Sequence, residues 1–427
     1  MRYLPQTQKS REEMLEVIGT KSVDDLYVDV PKSAFIDGKA NLPDHQGELE
    51  VERYLGAYAN QNQAAPDGPF FLGAGAYYHH IPSSVDYIMQ RSEFLTAYTP
   101  YQPEIAQGTL QVIFEFQTFI AQITGQDIAN ASMYDGATSM TEAALMAMRI
   151  TKRKKIAIGN TIHPDYREVL ASYMWNFDGE VEVIEGQPDD ETACVIIQSP
   201  DFYGAPHKYG ALRKKCDETG ALLVVVVTEI VSLGLLPAPV EADIVCGEAQ
   251  SVGIPLSYGG PYLGFFAAKE KYLRQMPGRL CGVTEDADGK RGFVLTLSTR
   301  EQHIRRDKAT SNICTNQGLC ALAFTVHMSL LGEDGFKRLA RLNHEAACKT
   351  ADTLSAIDGV KLVTENFFNE FTVELPKSSE DVVEALAGKG IIAGLAADDK
   401  NLVVAATEMT KDEDIEAFAQ ALKEALA

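Results

Sequence analysis

Short apolar runs separate longer helical patterns through the middle of the chain. Most of these runs lack strict alternation of apolar and polar residues, which is typical of strands buried on both faces of a largely parallel sheet. They lie at residues 156–158, 181–184, 194–197, 222–227, 244–246 and 263–267. Between them apolar residues recur at helical spacing, as over residues 110–123, and this helix is predicted to end at Gly125. The alternation predicts an open α/β domain with helices on both faces of its sheet.

One predicted helix start has a composition that also suits a ligand. The segment YDGATSMTEAA, residues 134–144, places a glycine and small hydroxyls before an alanine-rich helix. We predict that Ser139 and Glu142 form the capping box of this helix. Backbone N–H groups at a helix N-terminus favour a phosphate, although a capped helix without a ligand is the commoner arrangement.

The two ends of the chain have patterns of their own. Residues 1–69 are mixed and charged, with short helical patterns over 10–18 and 48–58, and predict an N-terminal arm that packs on another surface. Residues 326–427 predict a small α+β domain that follows a large domain over residues 70–325. The predicted elements of the small domain are strands at 371–375 and 402–406 and helices at 381–387 and 412–425, the last opened by a box from Thr410 to Glu413.

Charge and cysteine content narrow the classes of function. Lysine and arginine number 38 against 60 acidic residues, and a net charge of −22 disfavours binding to nucleic acid or to an anionic membrane. The N-terminal residues lack the apolar segment of a signal peptide, and no apolar run reaches the length of a membrane span. Seven scattered cysteines without a CxxC pair indicate reduced thiols in the cytoplasm, and neither a disulfide framework nor a metal site.

Three segments have compositions that solvated loops rarely show. Residues 98–108 are dense in tyrosine and proline, residues 247–265 are rich in glycine, and residues 295–317 combine basic side chains with asparagine and threonine. We expect all three to be site-forming loops.

These segments, together with FLGAGAYYHHIPSSVD at residues 71–86, resemble the P-protein family of the glycine cleavage system, glycine dehydrogenase (decarboxylating). The resemblance covers nearly the whole chain and is to the N-terminal half of that enzyme, which in many bacteria is a separate α subunit. It implies the fold-type-I, aminotransferase-like architecture of pyridoxal-phosphate enzymes: a large domain with a mixed or parallel sheet and a small C-terminal α+β domain.

The resemblance also shows what this sequence lacks. A pyridoxal-phosphate enzyme needs a lysine amine for its resting imine, and the β half of the family carries it shortly before an Ile-Pro and a Gly-Gly-Pro. Aligning these two motifs places Gln250 at the lysine position, and no lysine occurs anywhere between Lys215 and Lys269. The family pattern places Glu229 where an aspartate would face the pyridine nitrogen. We therefore expect no catalytic residue and no bound cofactor in this chain.

The resemblance implies a function shared with a partner. A β subunit would hold pyridoxal phosphate and decarboxylate glycine, and the aminomethyl group would pass to the lipoyl arm of H-protein. The two subunits would form an α₂β₂ heterotetramer, with this chain lining the shared site.

Candidate residues follow from the three segments. For lining the partner's site we predict Tyr98, Tyr101, Gln102 and Glu104, although tyrosines beside prolines often only pack a loop. His79 and His80 point to opposite faces of an extended strand, so at most one faces a site, and we predict His80. For contacts with the partner subunit or H-protein we predict four basic residues, although a solvated or salt-bridged face explains them equally well: Arg300, Arg305, Arg306 and Lys308.

Two alternatives remain open from the sequence. The chain could be an autonomous pyridoxal-phosphate enzyme that uses another lysine, for which Lys308 is the candidate. It could also be a scaffold that kept the fold, lost the chemistry and recruits H-protein or stabilises the assembly.

Overall fold

The structure is a computed structural model that describes residues 6–36, 38, 40–94, 98–183 and 187–427. The chain separates into two compact units, Met1–Gln63 and Ala64–Ala427. The first unit contains α1 (Gln8–Ile18) and α2 (Glu48–Ala59), which confirms both helical patterns of the arm. Neither helix contains a buried residue.

A seven-stranded mixed sheet forms the centre of the second unit. Its strands are β1 (Ile128–Ala129), β2 (Lys155–Ile158), β3 (Glu180–Val183), β4 (Thr192–Gln198), β5 (Leu222–Val227), β6 (Ile244–Glu248) and β7 (Gly264–Ala268). The spatial order is β1-β7-β6-β5-β4-β2-β3. Strands β2 to β6 are parallel, β7 pairs antiparallel with β6, and β1 pairs antiparallel with β7 at the edge of the sheet. All six predicted strands are present, although residue 184, the predicted end of β3, lies outside the described residues.

Helices pack on both faces of this sheet, as the alternating pattern predicts. They are α3 (Ser83–Met89), α4 (Gln107–Thr124), α5 (Gly136–Thr151), α6 (Pro164–Asn176) and α7 (Gly210–Thr219). Side chains alternate between two apolar clusters along β5, where Val225 belongs to one cluster and Val224 to the other. Helix α4 ends at Gly125 in the left-handed conformation, so its predicted end is confirmed.

The predicted start of α5 is wrong. The helix begins at Gly136, and its cap is Asp135, whose carboxylate accepts the backbone N–H of Thr138 at 2.7 Å. Ser139 lies inside the helix and donates to the carbonyl of Asp135. Aspartate caps a helix as well as serine does, so the two starts could not be separated by cap preference alone. The capping box predicted from Thr410 to Glu413 at the start of the last helix is also wrong. There the carboxylate of Asp414 accepts the backbone N–H of Lys411 instead.

A β-hairpin that the apolar pattern did not predict follows the large sheet. It pairs β8 (Leu280–Glu285) with β9 (Arg291–Thr296) in antiparallel register. After it the chain forms a short helix, α8 (Gln302–Arg305), between two single 3₁₀ turns. The third predicted segment is therefore an irregular connection that begins at the end of β9.

A long helix leads into the C-terminal part. Helix α9 (Gly318–Ser355) is kinked at Gly332 and precedes a four-stranded antiparallel sheet. The remaining elements are β10 (Lys361–Leu362), β11 (Glu370–Glu374), α10 (Ser379–Ala387), β12 (Leu395–Ala396), β13 (Asn401–Ala405) and α11 (Asp412–Leu426). The predicted strands and helices of this region are confirmed, and together they form the small α+β layer. None of the described helices is long and apolar enough to cross a membrane.

Candidate functional site

Gln250 lies just beyond the carboxyl end of β6, where an open α/β sheet usually places its ligands. Its side chain is buried, and both ends of its carboxamide are hydrogen-bonded to the backbone. The N–H of Tyr77 donates to Oε1 at 3.0 Å, and Nε2 donates to the carbonyls of Ile254 at 2.6 Å and Tyr77 at 3.3 Å. A carboxamide nitrogen is not nucleophilic, and this one is occupied by structural contacts. The residue at the predicted lysine position therefore ties the 71–80 segment to the sheet.

Glu248, the last residue of β6, lies in the same turn and is 3% exposed. Its carboxylate accepts four backbone N–H groups, from Gly136 at 3.0 Å, Ala249 at 3.1 Å, Gln250 at 3.0 Å and Leu263 at 2.8 Å. Burial raises the pKa of this carboxyl to about 7, against the lowering effect of the N–H groups of Leu263 and Gly136. One of the four donors is the first residue of α5, so a carboxylate of the chain lies at that helix N-terminus.

Glu229 follows β5, the neighbour of β6, and is engaged with a histidine. His79 Nε2 lies 3.0 Å from the Glu229 carboxylate, and His79 Nδ1 lies 2.9 Å from Glu408. Burial alone would lower the pKa of His79, but the two carboxylates outweigh it and raise the pKa to about 10. The ring is therefore protonated at neutral pH and donates to both carboxylates. The adjacent histidine points outwards: His80 is exposed, and only its backbone N–H bonds to Glu408.

The three predicted loop segments meet at one cavity of about 550 Å³. Its lining includes Tyr98 and Pro100 of the first segment, Pro261 of the second and Asn316 of the third. Helix α4 contributes its apolar Val112 and Ile113, and α9 contributes its N-terminal turn. The volume lies in the range of small-molecule sites. The structure thus brings together loops whose lining residues Tyr98, Pro261 and Asn316 are separated by 163 and 55 positions along the chain.

All four residues of the first segment that are predicted to line the partner's site are exposed. Tyr98 is 90% exposed and Tyr101 is 53% exposed, and both Gln102 and Glu104 are exposed. Tyrosine is one of the residues enriched among those that contribute most to protein–protein binding.

A buried arginine, which the sequence did not indicate, supports the same loop. Arg279 is 2% exposed, donates from Nη2 to the Tyr101 hydroxyl at 3.2 Å and has its guanidinium carbon 5.4 Å from the Tyr101 ring centre. Its Nε lies 3.6 Å from a carboxylate oxygen of Glu301, and the His303 ring lies at an angle to Tyr101 with the centroids 5.4 Å apart. This cluster connects the 98–108 loop to the 295–317 segment. Only a surplus of arginines near tyrosines could have suggested it from sequence, and that signal is weak.

The four predicted basic contact residues divide into two groups. Arg300 is buried, and its guanidinium donates to the backbone carbonyls of Leu297, Met276 and Gly278. These bonds within the chain engage the guanidinium of Arg300, and its contact with a partner stays a prediction. Arg305, Arg306 and Lys308 are exposed, and none of them forms an ion pair with another described residue.

The described residues include no group of three or more histidine, cysteine, aspartate or glutamate side chains placed to hold a metal ion. All seven cysteines are free thiols. Burial raises the pKa of Cys194 and that of Cys246 beyond the usual range of a thiol, so neither is an activated nucleophile.

Comparison with known proteins gives a consistent result over the whole chain. Residues 1–422 match the model of the family described as glycine cleavage system P-protein. A protein of Parvibaculum lavamentivorans, named probable glycine dehydrogenase (decarboxylating) subunit 1, is 56% identical, and the alignment covers 100% of both chains. A crystal structure of glycine decarboxylase (P-protein) of the glycine cleavage system, in inhibitor-bound form, superimposes with a TM-score of 0.93 at 40% identity, again over 100% of both chains.

A more distant structure indicates the fold alone. Sphingosine-1-phosphate lyase of Burkholderia pseudomallei superimposes with a TM-score of 0.66 at 15% identity, covering 93% of this chain and 94% of that one. Together with the mixed seven-stranded sheet and the small antiparallel sheet, these neighbours establish the fold-type-I architecture of pyridoxal-phosphate enzymes, as predicted.

Proposed function

The chain belongs to the glycine cleavage system P-protein family, and we propose that it is subunit 1 of a glycine dehydrogenase (decarboxylating) that works only with a second subunit. The second subunit would hold pyridoxal phosphate, which supplies the electron sink for decarboxylation of glycine. This chain would line the shared site, and the assembly would be an α₂β₂ heterotetramer that passes the aminomethyl group to lipoylated H-protein.

The observation that carries the proposal is the environment of Gln250. A buried lysine amine would have to be free to form an imine, whereas this carboxamide bonds the backbone at both ends. Glu229 is bonded to His79, so it is not free to bond a ring nitrogen of a ligand as an unengaged carboxylate would. The residues of this chain therefore do not fit the cofactor that its fold family uses.

The surface of the chain supports a role in lining the partner's site. Tyr98 and Tyr101 are exposed beside the cavity formed by the three loop segments, and Arg279 holds Tyr101 in place. In an assembly these aromatic side chains would exclude water from the entrance, and Gln102 and Glu104 would supply polar contacts. Helices α1 and α2 contain no buried residue, which supports an arm that a partner surface covers.

Reconstitution tests the proposal directly. The purified chain with added pyridoxal phosphate should show neither the visible absorbance of an imine nor exchange of CO₂ with the carboxyl group of glycine. Exchange should appear when subunit 2 is added. An imine on this chain alone would overturn the proposal, and borohydride trapping with peptide mapping would show whether Lys308 carries it.

Substitution of the loop separates a lining role from a scaffold role. The double variant Y98A/Y101A should assemble with subunit 2 but lower the exchange rate, roughly tenfold or more if the tyrosines order the entrance. The matched control is Y87A/W175A, which replaces two exposed aromatic residues of α3 and α6 outside the loop and outside the arm. An unchanged rate with intact assembly would leave the chain as a scaffold.

A further inference from the structure

The β8–β9 hairpin has backbone groups free for bonding along both outer edges, and a glutamine side chain of α4 bonds one position on each edge. Gln107 Oε1 accepts the N–H of Phe293 in β9 at 2.8 Å, and Gln107 Nε2 donates to the carbonyl of the same residue at 2.9 Å. Gln117 forms the same pair of bonds with Cys281 in β8, at 2.9 and 3.0 Å. A carboxamide has an acceptor and two donors, so each glutamine pairs with its strand as the peptide group of a further strand would.

The spacing of the two glutamines matches the width of the hairpin. Gln107 and Gln117 are ten positions apart, and ten residues of an α-helix span about 15 Å. Partners on the two outer edges of a two-stranded ribbon lie three strand spacings apart, which is about 14 Å. Helix α4 therefore crosses the hairpin, and a small apolar cluster fills the space between them. Its buried members are Ala106, Leu110, Ile113, Ala131, Cys281 and Phe293. Ile113 also lines the cavity formed by the three loop segments, so the hairpin supports a wall of that cavity.

Gln107 forms a third bond, and this bond reaches the loop of residues 98–108. Gln107 Nε2 also donates to the carbonyl of Pro103 at 2.7 Å. Pro103 begins the 3₁₀ turn Pro103–Ile105 and follows Tyr101 and Gln102 directly in the chain. One carboxamide thus bonds β9 with its oxygen and one N–H and bonds the loop with its other N–H. The loop is held at this end by Gln107 and at Tyr101 by Arg279.

We infer that Gln107 is a positioning residue for the reaction, because it fixes the loop of residues 98–108 on β9 in one orientation towards the partner's site. This inference deepens the proposed function and rests on it, since the orientation of the loop affects turnover only if the loop lines the shared site. Gln107 acts through Pro103 and the backbone of β9, and not by contact with a reacting group. A displaced loop lowers the rate of the chemical step more than it weakens binding of a small substrate, because correct orientation lowers the barrier.

Methionine variants of the two glutamines separate positioning from stability. Q107M and Q117M keep the length of the side chain and remove its carboxamide bonds. In the complex with subunit 2, Q107M should lower the kcat of glycine–CO₂ exchange roughly threefold to tenfold, the effect of about one hydrogen bond, and leave the KM for glycine near its wild-type value. Q117M should leave both constants unchanged. Gln117 is less exposed than Gln107, so a purely structural contribution would be at least as large in Q117M.

Hydrogen–deuterium exchange of the free chain gives a second readout that does not depend on activity. The amides of Ile105 and Ala106 bond the carbonyls of Gln102 and Pro103, and in Q107M they should exchange roughly threefold to tenfold faster. In Q117M their exchange should match that of the wild type.

The kinetic outcomes separate this inference from the proposed function. An unchanged kcat in Q107M, or equal losses of kcat in Q107M and Q117M, would overturn the inference alone. Unchanged amide exchange in Q107M would also overturn it, as would loss of assembly confined to Q107M, because Gln107 would then act at the subunit contact. An inactive wild-type complex would overturn the proposed function and this inference with it.

Discussion

Position 250 tests the proposal that this chain does not bind the cofactor of its fold family. The variant Q250K would place an amine in the turn, but a protonated lysine cannot accept the N–H of Tyr77, and the Glu248 carboxylate still bonds the backbone of the same turn. We expect no imine absorbance with pyridoxal phosphate, and a loss of roughly 1–3 kcal/mol in the free energy of unfolding from the unpaired N–H. Absorbance spectra and denaturant titrations measure both. A borohydride-stable adduct at position 250 in this single variant would contradict the prediction.

His79 should make stability depend on pH in a defined window. Its pKa is about 10 in the folded chain and 6.5 when unperturbed, because Glu229 and Glu408 outweigh the effect of burial. A raised pKa means that the stabilisation is complete below about pH 6.5, declines as pH rises and is lost above about pH 10. The variant H79Q should therefore be less stable than the wild type by roughly 3–5 kcal/mol at mildly acidic pH, and the difference should shrink towards pH 10.

Thermal unfolding of both proteins over a series of pH values measures this difference. His80 provides the matched control, because its side chain is exposed and lies outside the ion pairs with Glu229 and Glu408. H80Q should follow the wild type at every pH. If H79Q differs from the wild type by the same amount at all pH values, the histidine is not a protonated partner of the two carboxylates.

The residues of the site differed in how readily the sequence revealed them. Gln250 could be found because an expected lysine is missing from a long stretch of the chain. Glu408 and Arg279 could not, because they reach the site from distant positions and neither belongs to a motif. Which of the two adjacent histidines is buried depends on how this irregular segment faces the core, and period-two alternation does not supply that orientation.

The loop of residues 98–108 is an element whose order depends on Arg279. Removing the guanidinium in R279A would leave the Tyr101 hydroxyl without its donor and would leave buried Glu301 with His303 but without its arginine partner. We expect the free energy of unfolding to fall by roughly 1–3 kcal/mol and the amides of residues 98–106 to exchange faster. Hydrogen–deuterium exchange measures the second effect. R279K retains the charge and should recover part of the protection. Unchanged exchange in R279A would show that the loop is ordered without this arginine.

Elements were predictable where apolar residues alone decide the structure. The run of valines in β5 is buried on both faces, so its bounds follow from the sequence. The β8–β9 hairpin was missed because its outer residues are polar or exposed and only Leu280, Cys281 and Phe293 are buried. The start of α5 was misplaced because Asp135 and Ser139 are both good caps, and tertiary contacts of Gly136 selected the earlier one.

At the scale of the whole molecule, the sequence predicts the fold class better than it predicts the order and direction of the strands. Alternating strands and helices predict a parallel sheet, and β2 to β6 form one. The antiparallel pairing of β7 with β6, and of β1 with β7, has no counterpart in the apolar pattern, because a strand buried on both faces has the same composition in either direction. The surface that a partner covers is also undetermined by patterning, since exposed apolar residues are common on any protein.

The exposed basic residues Arg305, Arg306 and Lys308 contrast with the net charge of −22 of the whole chain. Such a local cation patch on an acidic protein would attract an acidic partner surface and accelerate association at low ionic strength. The variant R305E/R306E changes the net charge by −4, from −22 to −26. We expect it to raise the KM for H-protein roughly tenfold, to leave kcat nearly unchanged and to weaken the dependence on salt.

A matched variant distinguishes the effect of this basic patch from the effect of the net charge. R338E/R341E makes the same change of −4 at two exposed arginines of α9 and should leave the KM for H-protein near its wild-type value. Sedimentation of each variant with subunit 2 reports assembly separately from turnover. If R305E/R306E fails to assemble, these arginines contact subunit 2; if both variants raise KM equally, only net charge matters. A KM effect confined to R305E/R306E, with assembly intact, would locate the approach of H-protein beside the loops that line the cavity.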